Sequence, residues 1–378
     1  MIDQLDARSL DGSEPKYEQL CTRLMAEVAK GRLRPGDALP PEPVFAEQLN
    51  LARSTVRQAL AQMERNGLIR RVRGKGTFIH EDAANRLRSG LDAFALIVPE
   101  QGGYYPLLMS GFEEAASATR NQVIVVSTRN DTHRQGDAIL QLIDKQVAGV
   151  AIVPAMSQVP TPAYQVRQLQ KNNVPVVLCH RGVDGVRAPV LALSGHDIGR
   201  LAGEEMIRRG HRRIAFVSAL RSGMAESYEA GLRAALKAVG ATLPGEQVVY
   251  LDFNRYANHE EYERHMDAAL GDLMGRPPEQ RPTAIFTGFD AVAELIYLQL
   301  MRRGMSVPDD VSLVSFGGAT RLGPMQHRLA AVTVDEAAVG RLAADLLSEM
   351  RSGRRLIEHD ERFEIELGFH EGQTLGQV

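Results

Sequence analysis

The sequence predicts an α/β protein in two parts: a small helical head with a β-hairpin, and a larger body of parallel sheets arranged as two lobes. Three observations predict this. Residues 15–80 show helical periodicity followed by a basic glycine turn. Residues 80–90, HEDAANRLRSG, have little apolar content and read as a linker. From residue 91 onward, short apolar runs alternate with amphipathic stretches. The chain has 378 residues, room for two or three domains, and is 44% hydrophobic, enough to fill sizeable cores. The expected division is 1–79, 80–90 and 91–378.

In the head, Tyr17, Leu20, Cys21, Leu24 and Val28 recur at helical spacing and form one face. Gly31, Pro35 and Gly36 stop that helix. A short second helix follows, roughly 42–50. In a third, Val56, Ala59, Leu60 and Met63 form the buried stripe and leave Arg53, Arg57, Gln58 and Gln62 mainly on other faces. Gly67 suits the left-handed position that ends it. LIRRV and TFIH are strand-like runs joined by Arg73-Gly74-Lys75-Gly76, a hairpin. Three helices and a basic hairpin make a winged helix-turn-helix. Between Leu51 and His80 stand seven Arg or Lys and one acid, Glu64. A basic head on an acidic body fits a head that meets a polyanion. A helix fits the major groove, and arginines near its start reach guanine edges or phosphates. Glycines at the hairpin tip let the backbone approach the sugar-phosphate wall, and Lys75 adds charge there.

The pieces Leu33-Arg34-Pro35-Gly36-Asp37, Leu39-Pro40, Ala46-Glu47-Gln48-Leu49, Arg53-x-Thr55-Val56-Arg57, Gly67-Leu68-Ile69 and Gly74-Lys75-Gly76-Thr77-Phe78 occur in this order over about 65 residues. The segment resembles the DNA-binding domain of GntR-type bacterial regulators. The resemblance implies DNA contacts by Arg53, Thr55, Arg57 and the wing glycines. The candidate DNA-binding set is Arg53, Ser54, Thr55, Arg57, Gln58, Arg73, Gly74, Lys75, Gly76 and Thr77. Two departures stand out. Pro41-Glu42-Pro43 replaces the family's Ser-Glu-Arg, so a DNA-contacting arginine is missing at Pro43. Ala52 stands where a serine usually caps the recognition helix, a loss of about 1 kcal/mol, with Ser54 as a partial substitute.

In the body, AFALIV, QVIVVS, GVAIV, VPVVLC and RIAFVS alternate with amphipathic helices near 107–120, 134–147, 161–172 and 197–209. QVVYL, TAIFT and VSLVSF continue the strand series. Continuous apolar strands between helices mean parallel sheets covered on both faces. There are too many strands for one compact sheet, and two linked lobes fit better, with a cleft at the strand ends. Gly210-His211-Arg212-Arg213-Ile214 and Val307-Pro308-Asp309-Asp310-Val311, with VPVVLCHR, YEAGLRAALKAVG and LAAVTVDEAAVGRLAADLL, resemble the effector domain of LacI/GalR-type regulators, itself similar to periplasmic sugar-binding proteins. The likeness spans roughly 92–370. A GntR-type head on such a periplasmic-binding-protein-like body resembles the arabinose-repressor architecture. The family topology puts lobe crossings near 218–221, 329–332 and 351–356, with lobe one holding about 91–219 and 332–352.

The same resemblance locates four polar cleft positions. Asp197 is retained. An arginine is replaced by Tyr228. In the usual Asn-Asp pair, Phe289 replaces the asparagine and Asp290 is retained. An aspartate has become Gly317. Losing such groups removes hydrogen bonds to sugar hydroxyls. Tyr104, Tyr105, Tyr228 and Phe289 point to a flatter or more apolar ligand, or an atypical sugar stacked on rings. Arg129 and the pair His180-Arg181 follow strand-like runs and could bind an anion or hydroxyls. The effector candidates are Tyr104, Tyr105, Arg129, His180, Arg181, Asp197, Tyr228, Phe289, Asp290 and Gly317.

Nothing in the chain reads as a catalytic constellation: there is no nucleophile elbow, Cys-x-x-Cys or phosphate loop. His259 and His265, six apart beside Glu260 and Glu261, lack metal spacing. Neither enzyme activity nor a cofactor or metal is expected. Cys21 and Cys179 lie in apolar patterns and read as reduced thiols of a cytoplasmic protein. The expectation is a homodimeric transcription regulator, a repressor, that binds double-stranded operator DNA under control of a small-molecule effector, with no membrane association. A ligand-independent regulator with a filled cleft, and an α/β enzyme with a regulatory head, are the alternatives.

Overall fold

The computed structural model describes residues 15–29, 31–72, 74–81, 83, 91–100, 105–155, 160–251, 258–317, 329–352, 354–355, 357 and 360–378. Arg73, Tyr104 and most of the 80–90 segment lie outside them.

The head is α1 (Lys16–Ala29), β1 (Ala38–Leu39), α2 (Glu42–Gln48), α3 (Arg53–Arg65), β2 (Ile69–Val72) and β3 (Gly76–Ile79). Its core is Leu20, Leu24, Phe45, Val56, Leu60, Met63, Leu68 and Ile79, each buried. Removing such a side chain from water is worth about 1.5–3 kcal/mol, so α2 and α3 are held by packing rather than by their own propensity. The Cys21 thiol donates to the Ala59 carbonyl at 3.3 Å and ties α1 to α3. The three short strands pair antiparallel in the order β1-β3-β2.

The body contains two six-stranded sheets. The first, in lobe one, runs β14-β8-β7-β6-β4-β5, built from β4 (Ala93–Val98), β5 (Gln122–Ser127), β6 (Gly149–Ile152), β7 (Val176–His180), β8 (Val190–Ala192) and β14 (Arg362–Glu364). Every pair in it is parallel. Helices α4 (Tyr105–Ala118), α5 (Thr132–Asp144), α6 (Ala163–Lys171) and α11 (Glu336–Arg351) cover its two faces. The second sheet, in lobe two, runs β10-β9-β11-β12-β13-β15, from β9 (Ile214–Ser218), β10 (Val248–Tyr250), β11 (Ala284–Thr287), β12 (Ser312–Gly317), β13 (Ala330–Val334) and β15 (Leu367–His370). Only β15 is antiparallel to its neighbour. Its helices are α7 (Gly195–Arg208), α8 (Gly223–Ala238), α9 (His259–Met274) and α10 (Asp290–Arg302).

The expected helices and strands all occur, each within a few residues of its expected span. The lobe boundaries differ. The chain crosses at 193–195, 334–336 and 364–367, so α7 and β9 belong to lobe two rather than lobe one. The reason is packing. Ile198, Ala202 and Met206 of α7 join the core formed by Tyr228, Leu232, Phe286 and Phe316. Gly199 lets α7 lie directly on α8: a Cβ there would sit 1.9 Å from the Tyr228 carbonyl oxygen. The strand β9 pairs with β10 and β11.

Candidate nucleic-acid interface and ligand cleft

Helix α3 buries Val56, Ala59, Leu60 and Met63 and turns Arg53, Ser54, Arg57 and Gln58 to solvent, with Thr55 half-buried. Its first turn has no side-chain cap: Ala52 cannot supply one, and the Ser54 hydroxyl does not take its place. At the wing, the Lys75 amide donates to the Val72 carbonyl at 2.9 Å. Gly74 and Gly76 have φ of 75° and 119°, backbone that other residues rarely adopt. Gly74, Lys75 and Gly76 are exposed and Thr77 is half-buried.

Four charged groups link these elements. Arg57 Nε donates to Glu42 Oε2 at 3.0 Å, and the other Glu42 oxygen lies 3.4 Å from Arg71 Nη2. Arg71 Nε is 3.2 Å from Glu64 Oε2. Arg70 pairs with Glu81 at 3.6 Å and lies over the Phe78 ring, and Arg65 donates to Gln62. The basic residues of 51–80 therefore divide. Arg53, Arg57, Gln58 and Lys75 present donors outward, whereas Arg65, Arg70 and Arg71 are engaged within the head. Glu42 was not among the sequence candidates, because its partners stand 15 and 29 positions away.

Five of the effector candidates gather where the two lobes face each other. Tyr105 opens α4, is buried, and stacks on His180 with ring centroids 6.1 Å apart. His180 ends β7 at φ 67°, and its Nε2 lies 3.0 Å from Glu336 Oε2 on the first residue of α11. Both side chains are almost wholly buried, at 1% and 2% exposure. Arg181 donates from Nη1 to the Pro154 carbonyl at 2.8 Å. From lobe two, Tyr228 packs on Phe286 and Phe316 at 6.2 and 5.9 Å. Burial pushes its phenol well above the ordinary tyrosine range; nearby Arg181 pulls the other way and Tyr105 adds to the rise. Phe289 completes the group, since it packs against the Tyr105 cluster of lobe one and the Ile296 cluster of lobe two.

The remaining candidates are used differently. Asp290 is buried and accepts from the Ser315 hydroxyl. Gly317, at φ 138°, makes room for it: a Cβ there would stand 2.5 Å from Asp290 Oδ2. Asp197 lies in the first turn of α7, where Arg200 is 3.3 Å away. The Ser194 hydrogen bond, with Arg200 adding to it, lowers its pKa below the ordinary carboxylate range. It lines a separate hollow of about 540 Å³ with Arg200, Arg362 and Glu364. Arg129 is exposed after the edge strand β5, and among the described residues no contact joins it to the aromatic group. Among the described residues, three buried polar atoms in this region, Glu336 Oε1, Arg181 Nε and Thr287 Oγ1, find no hydrogen-bond partner. Glu336 and Thr287 were missed in the sequence; an acid opening an otherwise apolar helix face was the available signal for the first.

His259 pairs with Glu263 at 3.2 Å, and the His265 ring contacts the Glu261 carbonyl. Among the described residues no group of three His, Cys, Asp or Glu could hold a metal, and no helix is long and apolar enough to cross a membrane.

Residues 16–79 match the bacterial regulatory proteins of the gntR family, and residues 204–374 match the periplasmic binding protein-like domain. Over 341 residues the chain is 28% identical to the arabinose metabolism transcriptional repressor of Geobacillus stearothermophilus, covering 89% of this chain and 91% of that one. It is 26% identical to the ribose operon repressor of Escherichia coli (strain K12) over 255 residues, 67% of this chain and 73% of the relative. Among solved structures, the transcription regulator CcpA of Lactococcus lactis aligns with a TM-score of 0.61 at 17% identity, over 75% of this chain and 99% of that one. The transcriptional regulator CelR in complex with cellobiose aligns at 0.62 and 21% identity, over 89% of this chain and 100% of that one. The chain thus joins a winged helix of the gntR family to a periplasmic binding protein-like domain.

Proposed function

We propose that this protein is a sequence-specific DNA-binding transcription repressor whose operator affinity is set by a small molecule held between the two lobes. In this reading residues 1–79 bind DNA, 80–90 link, and 91–378 bind the effector and a second copy of the chain. The observation that carries it is α3. One face is fully buried in the head, and the other offers Arg53, Ser54, Arg57 and Gln58 beside an exposed glycine-lysine wing. A helix so mounted enters a major groove while the wing meets the backbone. Two copies would read two half-sites, protein two-fold symmetry matching an imperfect palindrome. The exposed Leu298 and Met301 on α10 support a partner copy. The effector is a sugar or a more apolar metabolite, and it must bind two lobe arrangements unequally to change DNA affinity. As a transcription regulator the protein works in the cytoplasm.

The test is binding to a duplex selected from a randomised library by the full-length protein. Arg57→Ala should lower affinity for that duplex by about 1–3 kcal/mol, roughly 5- to 150-fold, and leave a scrambled duplex less affected. Unchanged specific affinity sinks the assignment.

A second reading keeps DNA binding and drops the effector. It is favoured by Phe289, whose ring packs against both lobes and so occupies space a ligand would use. A ligand that prefers the folded state raises the melting temperature. A broad metabolite panel that leaves it unmoved favours the second reading.

A further inference from the structure

Glu42 sits between two prolines, at the first position of α2. The flanking rings restrict the backbone on both sides, and the helix N-terminus favours its negative charge. Its two oxygens face different elements. One accepts from Arg57 Nε on α3 at 3.0 Å; the other lies 3.4 Å from Arg71 Nη2 on β2. Arg71 in turn is 3.2 Å from Glu64, back on α3. The carboxylates and guanidiniums alternate, Arg57, Glu42, Arg71, Glu64, and connect α2, the exposed helix and the wing. Glu42 is the least exposed of the four, at 23%, and Arg57 the most, at 67%.

A guanidinium is a planar fork of five donors. With Nε–H held by Glu42, Arg57 keeps its terminal Nη pair for other partners, and among the described residues nothing else accepts from it. That end-on pair is the one that matches guanine O6 and N7, or two phosphate oxygens. Arg71 is different. Its Nε and an Nη are each against a carboxylate, so it braces the wing and is not a free reader.

We propose that Glu42 is a positioning residue for DNA recognition: it fixes the Arg57 guanidinium with its bidentate edge outward and sets the wing against α3 through Arg71. The proposal rests on the DNA-reading role of Arg57. Its physical content is pre-organisation. An arginine free to sample its rotamers loses that freedom when it docks; one already held loses less. An acid beside a polyanion also weakens general attraction. Glu42 therefore strengthens binding to the right sequence by more than its charge weakens the general attraction, and it lowers affinity only for DNA that lacks that sequence. The opposite possibility, that Glu42 merely competes with DNA for Arg57, predicts the opposite sign.

The test uses the full-length protein, the duplex it selects from a randomised library, and a scrambled duplex of equal composition. Affinities are measured across salt concentrations for wild type, Glu42→Ala, Glu42→Gln, Arg71→Ala and Arg57→Ala. Glu42→Ala should bind the selected duplex about tenfold more weakly, the equivalent of about 1.4 kcal/mol, with scrambled-duplex affinity unchanged or raised. Glu42→Gln, which keeps an oxygen for Arg57 Nε, should recover part of the loss. Arg71→Ala should show a smaller loss and little change in salt slope, since it makes no phosphate contact. Melting temperatures should hardly move, because exposed ion pairs add little stability. Tighter binding of Glu42→Ala to the selected duplex, or an unchanged ratio between duplexes, overturns the proposal. If wild type selects no sequence, the DNA-reading assignment itself fails. If wild type selects one, Arg57→Ala loses it and Glu42→Ala does not, only the Glu42 inference falls.

Discussion

The buried pair of His180 and Glu336 should behave as one unit in stability measurements. The two side chains are 1% and 2% exposed, with Nε2 and Oε2 3.0 Å apart. His180 ends β7, and Glu336 begins α11 just after the chain crosses back from lobe two. The pair therefore ties the crossing segment to the sheet of lobe one. Among the described residues the second Glu336 oxygen has no hydrogen-bond partner, so none of them steps in when His180 is removed. His180→Ala leaves a buried carboxylate alone, at a cost of about 3–5 kcal/mol. Glu336→Gln keeps an acceptor at the same place and should cost about 1 kcal/mol. His180→Ala with Glu336→Ala should cost less than the sum of the single changes, by about 1–3 kcal/mol, since the second removal takes away the orphan that the first created. Urea unfolding followed by far-ultraviolet circular dichroism gives these values; the chain has no tryptophan to report by fluorescence. Strict additivity, or a His180→Ala cost below about 1 kcal/mol, would refute the claim that burial and pairing act together here.

Gly199→Ala places a methyl 1.9 Å from the Tyr228 carbonyl oxygen and 2.7 Å from its carbon, so α7 must move off α8. A loss of about 1–3 kcal/mol is expected, seen as a lower melting temperature; an unchanged one means the helices do not pack this closely. His211 lies buried, its ring nitrogens 2.9 Å from the Thr283 hydroxyl and 3.2 Å from the Gly376 carbonyl. Burial lowers its pKa below 6.5, the Gly376 bond opposing and Arg209 assisting. A lowered folded-state pKa means stability that is present above the unfolded value and lost as pH falls through the folded one. The melting-temperature difference between wild type and His211→Gln should therefore shrink from about pH 7 to about pH 5. A difference that stays constant over that range contradicts the burial argument.

Local patterns in the sequence carried most of the element series. Val56, Ala59, Leu60 and Met63 at helical spacing, and unbroken runs such as AFALIV, announce one buried face or two, and burial follows. Which sheet a helix covers is a different kind of information. The periodicity of α7 shows that Ile198, Ala202 and Met206 face a core, but not whose, because the choice depends on contacts with Tyr228 and Phe316 far along the chain. The expectation of α7 and β9 in lobe one came from the topology of the resembled family, which periodicity alone could not correct. The cleft was legible to the same extent. Aromatic replacement at Tyr228 and Phe289 showed only against the resembled family's cleft positions, and the Glu336 partner of His180 stands 156 residues away. Asp197 and Asp290 were both expected to serve a ligand; one pairs with Arg200 and the other with Ser315. A carboxylate's type says what it could bind and leaves open what reaches it first.

The path of the chain through the lobes also sets a timetable. The head's core lies within residues 20–83, so it can close as soon as that stretch leaves the ribosome. Lobe one cannot. Its first sheet strands are made early, but Val339, Ala343, Ala344 and Leu347, which cover them, are made only after the greater part of lobe two. Its edge strand β14 comes later still. Until then the apolar face of Phe94, Leu96 and Val177 is covered only in part, by Leu108, Phe112 and Ala116 of the early-made α4. Such a face is a target for chaperones and for aggregation. A nascent or truncated chain would carry a finished DNA-reading head on an unfinished lobe, and the release of a sound protein waits on its last segment.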